Sequence, residues 1–462
     1  MKRLFQNYKK FLLFVLLLIS RNYTYSQAAI QQFWILNQSP ETLIWDNNGW
    51  NGQIDNGSGN WNTTETNWTG NGGKINTKWV SCKNAVFGGN PGVAVAGIVT
   101  LLNVVSVKGL YFKSVSNGNF ILTGSSINSC FSPMIISTEI NATIASQLTG
   151  INPILKTDAG TLTLTGNNTY TGSTVVNGGI LQCGDGTTNN GLSVNTSNIN
   201  INSGSTLYLN YATAVNLSSS NYGPKITGNG ILRLNSAQAV NGTADWGGGS
   251  TVFGSGFTGT LQIDNGRIDG QVPGLSGIKN IVINENGQFM ARTGIFSQNF
   301  SINGNGWGET NYTGALRAAG SASPIFTGTI TLTGDANLFI QNSNSSMELQ
   351  GNIITNGYSL GGMIGGIGGN GGKLILNTKN NVTFAGILSS QGSLTLNGSS
   401  IITLTGNNTY SGGTIINAGT AVAGNVNAFG TGTITVNSGA TISKNGFAIA
   451  NTIINNGGSV LP

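Results

Sequence analysis

The residues best suited to acid–base chemistry gather once, in the stretch IDNGRIDG, which holds Asp264, Arg267 and Asp269. A polysaccharide lyase or hydrolase needs clustered carboxylates, or a Lys or Arg base beside bound calcium. On one extended strand Arg267 and Asp269 share a face while Asp264 points to the other, unless a corner intervenes. The stretch therefore reads as a surface ion pair worth under about 1 kcal/mol. The remaining acids are scattered, and the chain has no His, which removes a Ser-His-Asp hydrolase. No catalytic residue, metal ligand or cofactor is expected, and a non-enzyme is the reading.

Two other clusters invite chemistry. GGMIGGIGGNGG (361–372) is rich enough in Gly to cradle a phosphate. That use needs a helix after the loop and a Lys-Ser/Thr pair, whereas KLILN follows as another strand. The Asp of calcium-binding nonapeptide repeats is also missing, so a corner or insertion loop is expected. Six of the eight Trp, at 34, 45, 50, 61, 68 and 79, lie in the first fifth of the chain. Trp61, Trp68 and Trp79 are candidates for stacking on sugar rings, since an indole offers an apolar face and a polar edge. The alternative is a cap in which these rings close the end of the fold. Cys82, Cys130 and Cys183 are odd in number, so at least one thiol is free or paired between chains. Their pairing is open; small buried core residues are the preferred reading, with a single disulfide as the other.

The elements that must position these residues begin after a leader. Lys2, Arg3, Lys9 and Lys10 precede the nine-residue apolar run FLLFVLLLI, with Thr24 and Ser26 before a cleavage point. This pattern predicts a signal peptide over 1–26 and a mature start at Gln27, because the run is too short to span a bilayer as an anchor. The leader holds five of the 20 basic residues and no acid, leaving fifteen basic against fourteen acidic residues. A nucleic-acid partner needs a basic patch, and none remains.

Past the leader, strand signals recur without helical periodicity: GTLTLTG at 160–166, GTITLTG at 328–334, GSLTLNG at 392–398. Thr or Ser alternates with Leu, Ile or Val at period two, closed by Gly or Asn. Leu162 and Leu164 then share an inward face, and Thr161, Thr163 and Thr165 face water. Charged residues make up only 7% of the chain, so hydroxyls and amides must wet its surface. One style continues through the whole mature chain, with no linker. That suits a parallel β-solenoid with coils of about 20–25 residues better than a sandwich, which seldom exceeds about 250 residues. A cap with the first coils is expected over 27–100 and the solenoid proper over 101–462.

The phrase LKTDAGTLTLTGNNTYTGSTVVNGGILQ (Leu155 to Gln182) makes the reading specific. It resembles the autotransporter-associated β-strand repeat, or passenger-associated transport repeat, whose pattern runs Leu-x-Lys-x-Gly-x-Gly-Thr-Leu-x-Leu-x-Gly-x-Asn-x-Tyr-x-Gly-Gly-Thr. The positions that carry the likeness are Leu162, Leu164, Gly166, Asn168, Tyr170 and Gly172. They return 240 residues later, over 393–420, as Leu404, Gly406, Asn408, Tyr410 and Gly412, with Ile402 in place of the first Leu. Ser173 departs from the pattern, and Gly413 restores it; the later copy lacks the Lys-x-Gly lead-in. WNTTETNWTG (61–70), NAVFGG (84–89) and VSVKGLYF (105–112) are similar to the opening segment of such proteins, although Asn84 stands where Asp is common. The segment 314–340 resembles another recurrent passenger segment.

The resemblance implies a right-handed, single-stranded parallel β-helix of pectin-lyase-like architecture with a Trp-rich N-terminal cap. It further implies export to the surface, or the surroundings, of a Gram-negative bacterium, with the export machinery as partner and a structural or adhesive role. Host or cell-surface glycans or proteins are the expected targets, and a carbohydrate-binding or polysaccharide-degrading β-helix is the alternative. NNGGSVLP closes the sequence in repeat-like style, without the aromatic-rich alternation of a barrel, and reads as a truncation.

Overall fold

The computed structural model describes residues 41–462 except 48–50, 71, 91, 216, 218–221, 237–245, 247–252, 254, 255, 272, 273, 308–313, 343 and 365–370. The expected signal peptide, Trp34, Trp50 and most of the Gly-rich run after Ile364 lie outside the described residues; Leu360–Ile364 itself is a strand.

The described chain is a parallel β-solenoid. Thr161–Leu164 shows why the sequence folds this way: Leu162 and Leu164 are buried, while Thr161 and Thr163 stay partly exposed. Within the stack, strands pair in parallel with their equivalents on the adjacent coils. Leu162 pairs with Ala142 and Leu181, and Leu164 with Ile144 and Cys183. The inward file containing Leu162 runs from Phe120 through Leu181, Leu207, Leu232, Leu261, Ile281, Phe300 and Ile330 to Ile353. Burying each such side chain contributes about 1.5–3 kcal/mol. Cys183 occupies an aliphatic position in the neighbouring file between Leu164 and Leu209, and burial pushes its thiol pKa up.

Successive members of the Leu162 file lie between 19 residues apart (Leu162 to Leu181) and 30 apart (Phe300 to Ile330). The spread exceeds the expected 20–25 because extra residues leave at the corners and do not disturb the register. A second wall stacks Val105–Phe112, Met134–Thr138, Ile154–Thr157, Thr174–Val176 and Ile199–Ile201, again in parallel. The antiparallel strand pairs among the described residues are at the N-terminal end, where Trp68–Thr69 pairs with Thr42–Trp45 and with Asn76–Thr77.

Outward-facing amides line up as the coils stack. Asn417 donates to Asn397 at 2.8 Å, Asn437 to Asn417 at 2.6 Å and Asn456 to Asn437 at 3.0 Å. Such bonds compete with water, so each contributes about 1 kcal/mol or less. Thr163 faces solvent without a comparable bond. Thr163→Ala is accordingly expected to change stability by less than about 0.5 kcal/mol, and Asn417→Ala by more, when urea midpoints are compared.

Candidate functional site

Three places in the fold concentrate polar or aromatic side chains. The first is the corner after Thr161–Leu164, where the chain turns through Gly166, Asn168, Tyr170 and Gly172. Asn168 is buried and joins three coils: its Oδ1 accepts from Leu148 N at 2.6 Å, and its Nδ2 donates to Gly191 O at 2.5 Å. Asn408 repeats the arrangement, accepting from Leu388 N at 2.8 Å and donating to Ala428 O at 2.6 Å. Tyr170 and Tyr410 lie buried, their hydroxyls bonded to Thr174 Oγ1 at 2.8 Å and Thr414 Oγ1 at 2.6 Å. Burial raises both phenol pKa values. Gly172 is a close-approach position: a Cβ there would come within 2.2 Å of the Asn152 carbonyl carbon.

The second place is the N-terminal end. Trp61 and Trp68 are 0% exposed and Trp79 is 4% exposed. Trp61 packs against Trp68 at 4.8 Å and Trp79 at 4.9 Å between ring centroids, and Phe87 lies 5.8 Å from Trp61. Phe87 continues into the solenoid by stacking on Phe112. The candidates for sugar stacking, Trp61, Trp68 and Trp79, thus lie packed on one another and buried, the arrangement that the alternative reading of a cap describes. Cys82 and Cys130 are joined as a disulfide with Cα atoms 5.8 Å apart, while Cys183 is free and buried. The preferred reading of three plain core cysteines holds for Cys183 and is corrected for the other two, because the strands beside Cys82 and Cys130 flank Val105–Phe112 and bring residues 48 apart into bonding range.

The third place is the long strand Thr260–Gly270. Its pairing with Asn280–Ala291 shifts register between Ile263 and Asn265. The two acids have different ion-pair partners. Asp264 pairs with Arg233 and accepts from Gln262 at 2.8 Å and Asn284 at 2.6 Å. Arg233 also lies 4.3 Å over the Tyr208 ring. Asp269, 1% exposed, receives a fork from Arg292, with Nε to Oδ1 at 2.9 Å and Nη2 to Oδ2 at 2.6 Å. Arg267 sits 5.1 Å over the Trp307 ring. Two ion pairs thus join this stretch to other coils, Asp264 with Arg233 and Asp269 with Arg292. Sequence reasoning missed Arg233 and Arg292, which stand 31 and 23 residues from their acids.

The family described as Passenger-associated-transport-repeat matches residues 154–182 and 392–420, the two stretches whose corners carry the buried Asn and Tyr. The chain carries two passenger-associated transport repeats. It is also 30% identical over 316 residues, 62% of its length, to the Adhesin BmaC autotransporter of Brucella suis biovar 1 (strain 1330). The chain spans 9% of the length of that relative. No solved structure matches it.

The passenger-associated transport repeats explain their own departures. Gly413 of the second repeat has φ +87°, a region costly for side-chain-bearing residues, whereas Ser173 of the first lies outside that region. Asp158 occupies the place of the first Gly in Lys-x-Gly-x-Gly and adopts φ +65°, which Asp tolerates better than most residues.

Lys156 of the first repeat stands in an inward file between Ile136 and Val176. Its ammonium donates to the carbonyls of Thr157 at 3.0 Å, Asp158 at 2.7 Å and Gly178 at 2.8 Å. Burial lowers its pKa from 10.5 to about 8, with the Asp158 charge opposing. The unfolded chain then holds the extra proton between pH 8 and 10.5, so this group makes stability rise with pH across that window. Buried Tyr170 and Tyr410 act oppositely from about pH 10 upward, because their raised pKa values favour unfolding once free tyrosine ionises. Urea midpoints between pH 7.5 and 9.5 are expected to rise in the native chain relative to Lys156→Met. Parallel profiles would refute the assignment.

Proposed function

We propose that the chain is part of an exported passenger displayed at, or released from, the surface of a Gram-negative cell, where its solenoid has a structural and adhesive role. The observation that carries this reading is the pair of transport repeats built into one continuous stack, together with likeness to an autotransporter adhesin over 62% of the chain. A solenoid suits the role physically. Each coil is stabilised by its neighbours, so length is added without a wider core, and binding loops can be held away from the cell.

The leader pattern and the Cys82–Cys130 disulfide accord with an oxidising destination. Export machinery is the partner implied, with host or cell-surface glycans or proteins as targets of adhesion. The test is protease treatment of intact cells that produce the full gene product, paired with attachment assays of a deletion strain and its complement. Solenoid peptides released from intact cells, and attachment lost on deletion, are the expected results. A chain inaccessible to protease outside the cell, or attachment unchanged by deletion, would overturn the proposal.

A further inference from the structure

Cys82 and Cys130 lie in different coils, and the bond between them crosses a third. Cys82 precedes the strand Lys83–Phe87, and Cys130 follows Ile127–Ser129. Both strands pair with Val105–Phe112, one on each side, so that Val107 meets Lys83 and Ser129. Backbone hydrogen bonds fix the placement. Cys82 N donates to Ser106 O at 2.9 Å and Cys130 N to Val107 O at 3.0 Å, and the carbonyls of successive strand residues point to opposite neighbours. Ser106 and Lys108 face outward there, so the disulfide straps the outer surface of the middle strand. Cys82 is exposed and Cys130 half-buried, within reach of a soluble reductant, whereas Cys183 is buried.

A second link runs beside the strap. Lys108, on the bridged strand, donates to Glu41 and holds its ammonium 4.6 Å over the Phe131 ring. Glu41 stands directly before Thr42–Trp45, and Phe131 directly after Cys130.

The strap fastens the strand on which the N-terminal end is built. Lys83–Phe87 pairs with Thr42–Trp45, which pairs in turn with Trp68–Thr69. Phe87 lies 6.3, 5.8 and 5.6 Å from the Trp45, Trp61 and Trp68 ring centroids. Coils at the end of a stack have a neighbour on one side only, and opening starts from such ends. A covalent tie opposes it, because the open state is denied part of its freedom.

We propose that the Cys82–Cys130 bond is a redox-operated latch on the N-terminal end of the solenoid. Closed, it holds Lys83–Phe87, and with it the strands and indoles packed there, against Val105–Phe112. Opened, it lets these strands leave together and uncovers the edge of the next coil, a template for pairing with another chain. A dithiol opens it. One thiolate attacks a sulfur of the bond, and the second displaces the resulting mixed disulfide. The protein disulfide gains two electrons and two protons to become two thiols, and the dithiol loses them to become a cyclic disulfide. The inference stands on the geometry of these coils and is independent of surface display.

The test is hydrogen exchange of the full chain, read by mass spectrometry before and after dithiothreitol and again after reoxidation by glutathione disulfide. Expected is exchange at least about tenfold faster over Thr42–Trp45 and Lys83–Phe87 in the reduced chain. Thr206–Tyr211 should be unchanged, and reoxidation should restore the slow rate. Cys82→Ser combined with Cys130→Ser should exchange at the reduced rate with or without dithiothreitol, whereas Cys183→Ser should respond as the native chain does. Three alkylatable thiols in the unreduced, denatured chain would overturn the proposal. So would exchange that ignores reduction, or acceleration spread evenly as far as Ile434–Asn437.

Discussion

Asn168→Ala is expected to destabilise the coils on both sides of it by about 4 kcal/mol. The side chain satisfies Leu148 N and Gly191 O in two different coils, and each buried group left unpaired costs about 1–3 kcal/mol. Truncation also removes packing that the corner has no means of refilling. Because a solenoid is close to one-dimensional, the damage should be local. Hydrogen exchange should accelerate around 142–149 and 180–192 and stay unchanged beyond Leu394. Asn408→Ala should mirror this around Leu388 and Ala428. Asn168→Asp separates the two halves of the arrangement: a carboxylate still accepts from Leu148 N but repels Gly191 O, so it too should destabilise. Exchange rates equal to those of the native chain after Asn168→Ala would refute the three-coil link.

Trp61→Ala is expected to cost about 3–5 kcal/mol, the range for removing a large buried aromatic. The ring touches Trp68, Trp79 and Phe87, so its loss opens a void among side chains that are themselves fully buried. Near-ultraviolet circular dichroism should lose intensity, and protease should cut first within 59–101. A binding role for the same ring predicts the reverse: loss of glycan affinity with the melting temperature preserved. Native stability in Trp61→Ala would therefore refute the packing account directly.

The walls of the fold were legible because the alternation of Leu162 and Leu164 with threonines states which face is inward. Tyr170 stands between Gly166 and Gly172, where an aromatic beside a turn needs somewhere to pack. The burial of Asn168 is not legible in the sequence. The carbonyl and amide it serves belong to other coils, and their distance along the chain depends on corner lengths that vary. The same irregularity hid Arg233 from Asp264, Arg292 from Asp269, and Cys82 from Cys130. Trp61, Trp68 and Trp79 were ambiguous because composition reports that indoles cluster without reporting whether a wall covers them.

The uneven spacing of the Leu162 file has a consequence for how the chain can fold and diversify. Each new coil closes a loop of roughly the spacing between file members, 19 residues at the shortest and 30 at the longest. Loop-closure entropy grows only as the logarithm of length, so the longer loop costs about 0.4 kcal/mol more than the shorter. Burying one inward leucine outweighs that difference several times over. Corner insertions are thus nearly free of thermodynamic penalty, and contacts remain local in sequence however long the stack becomes. A growing chain can add coils one at a time at nearly constant cost, while its corners are left to vary.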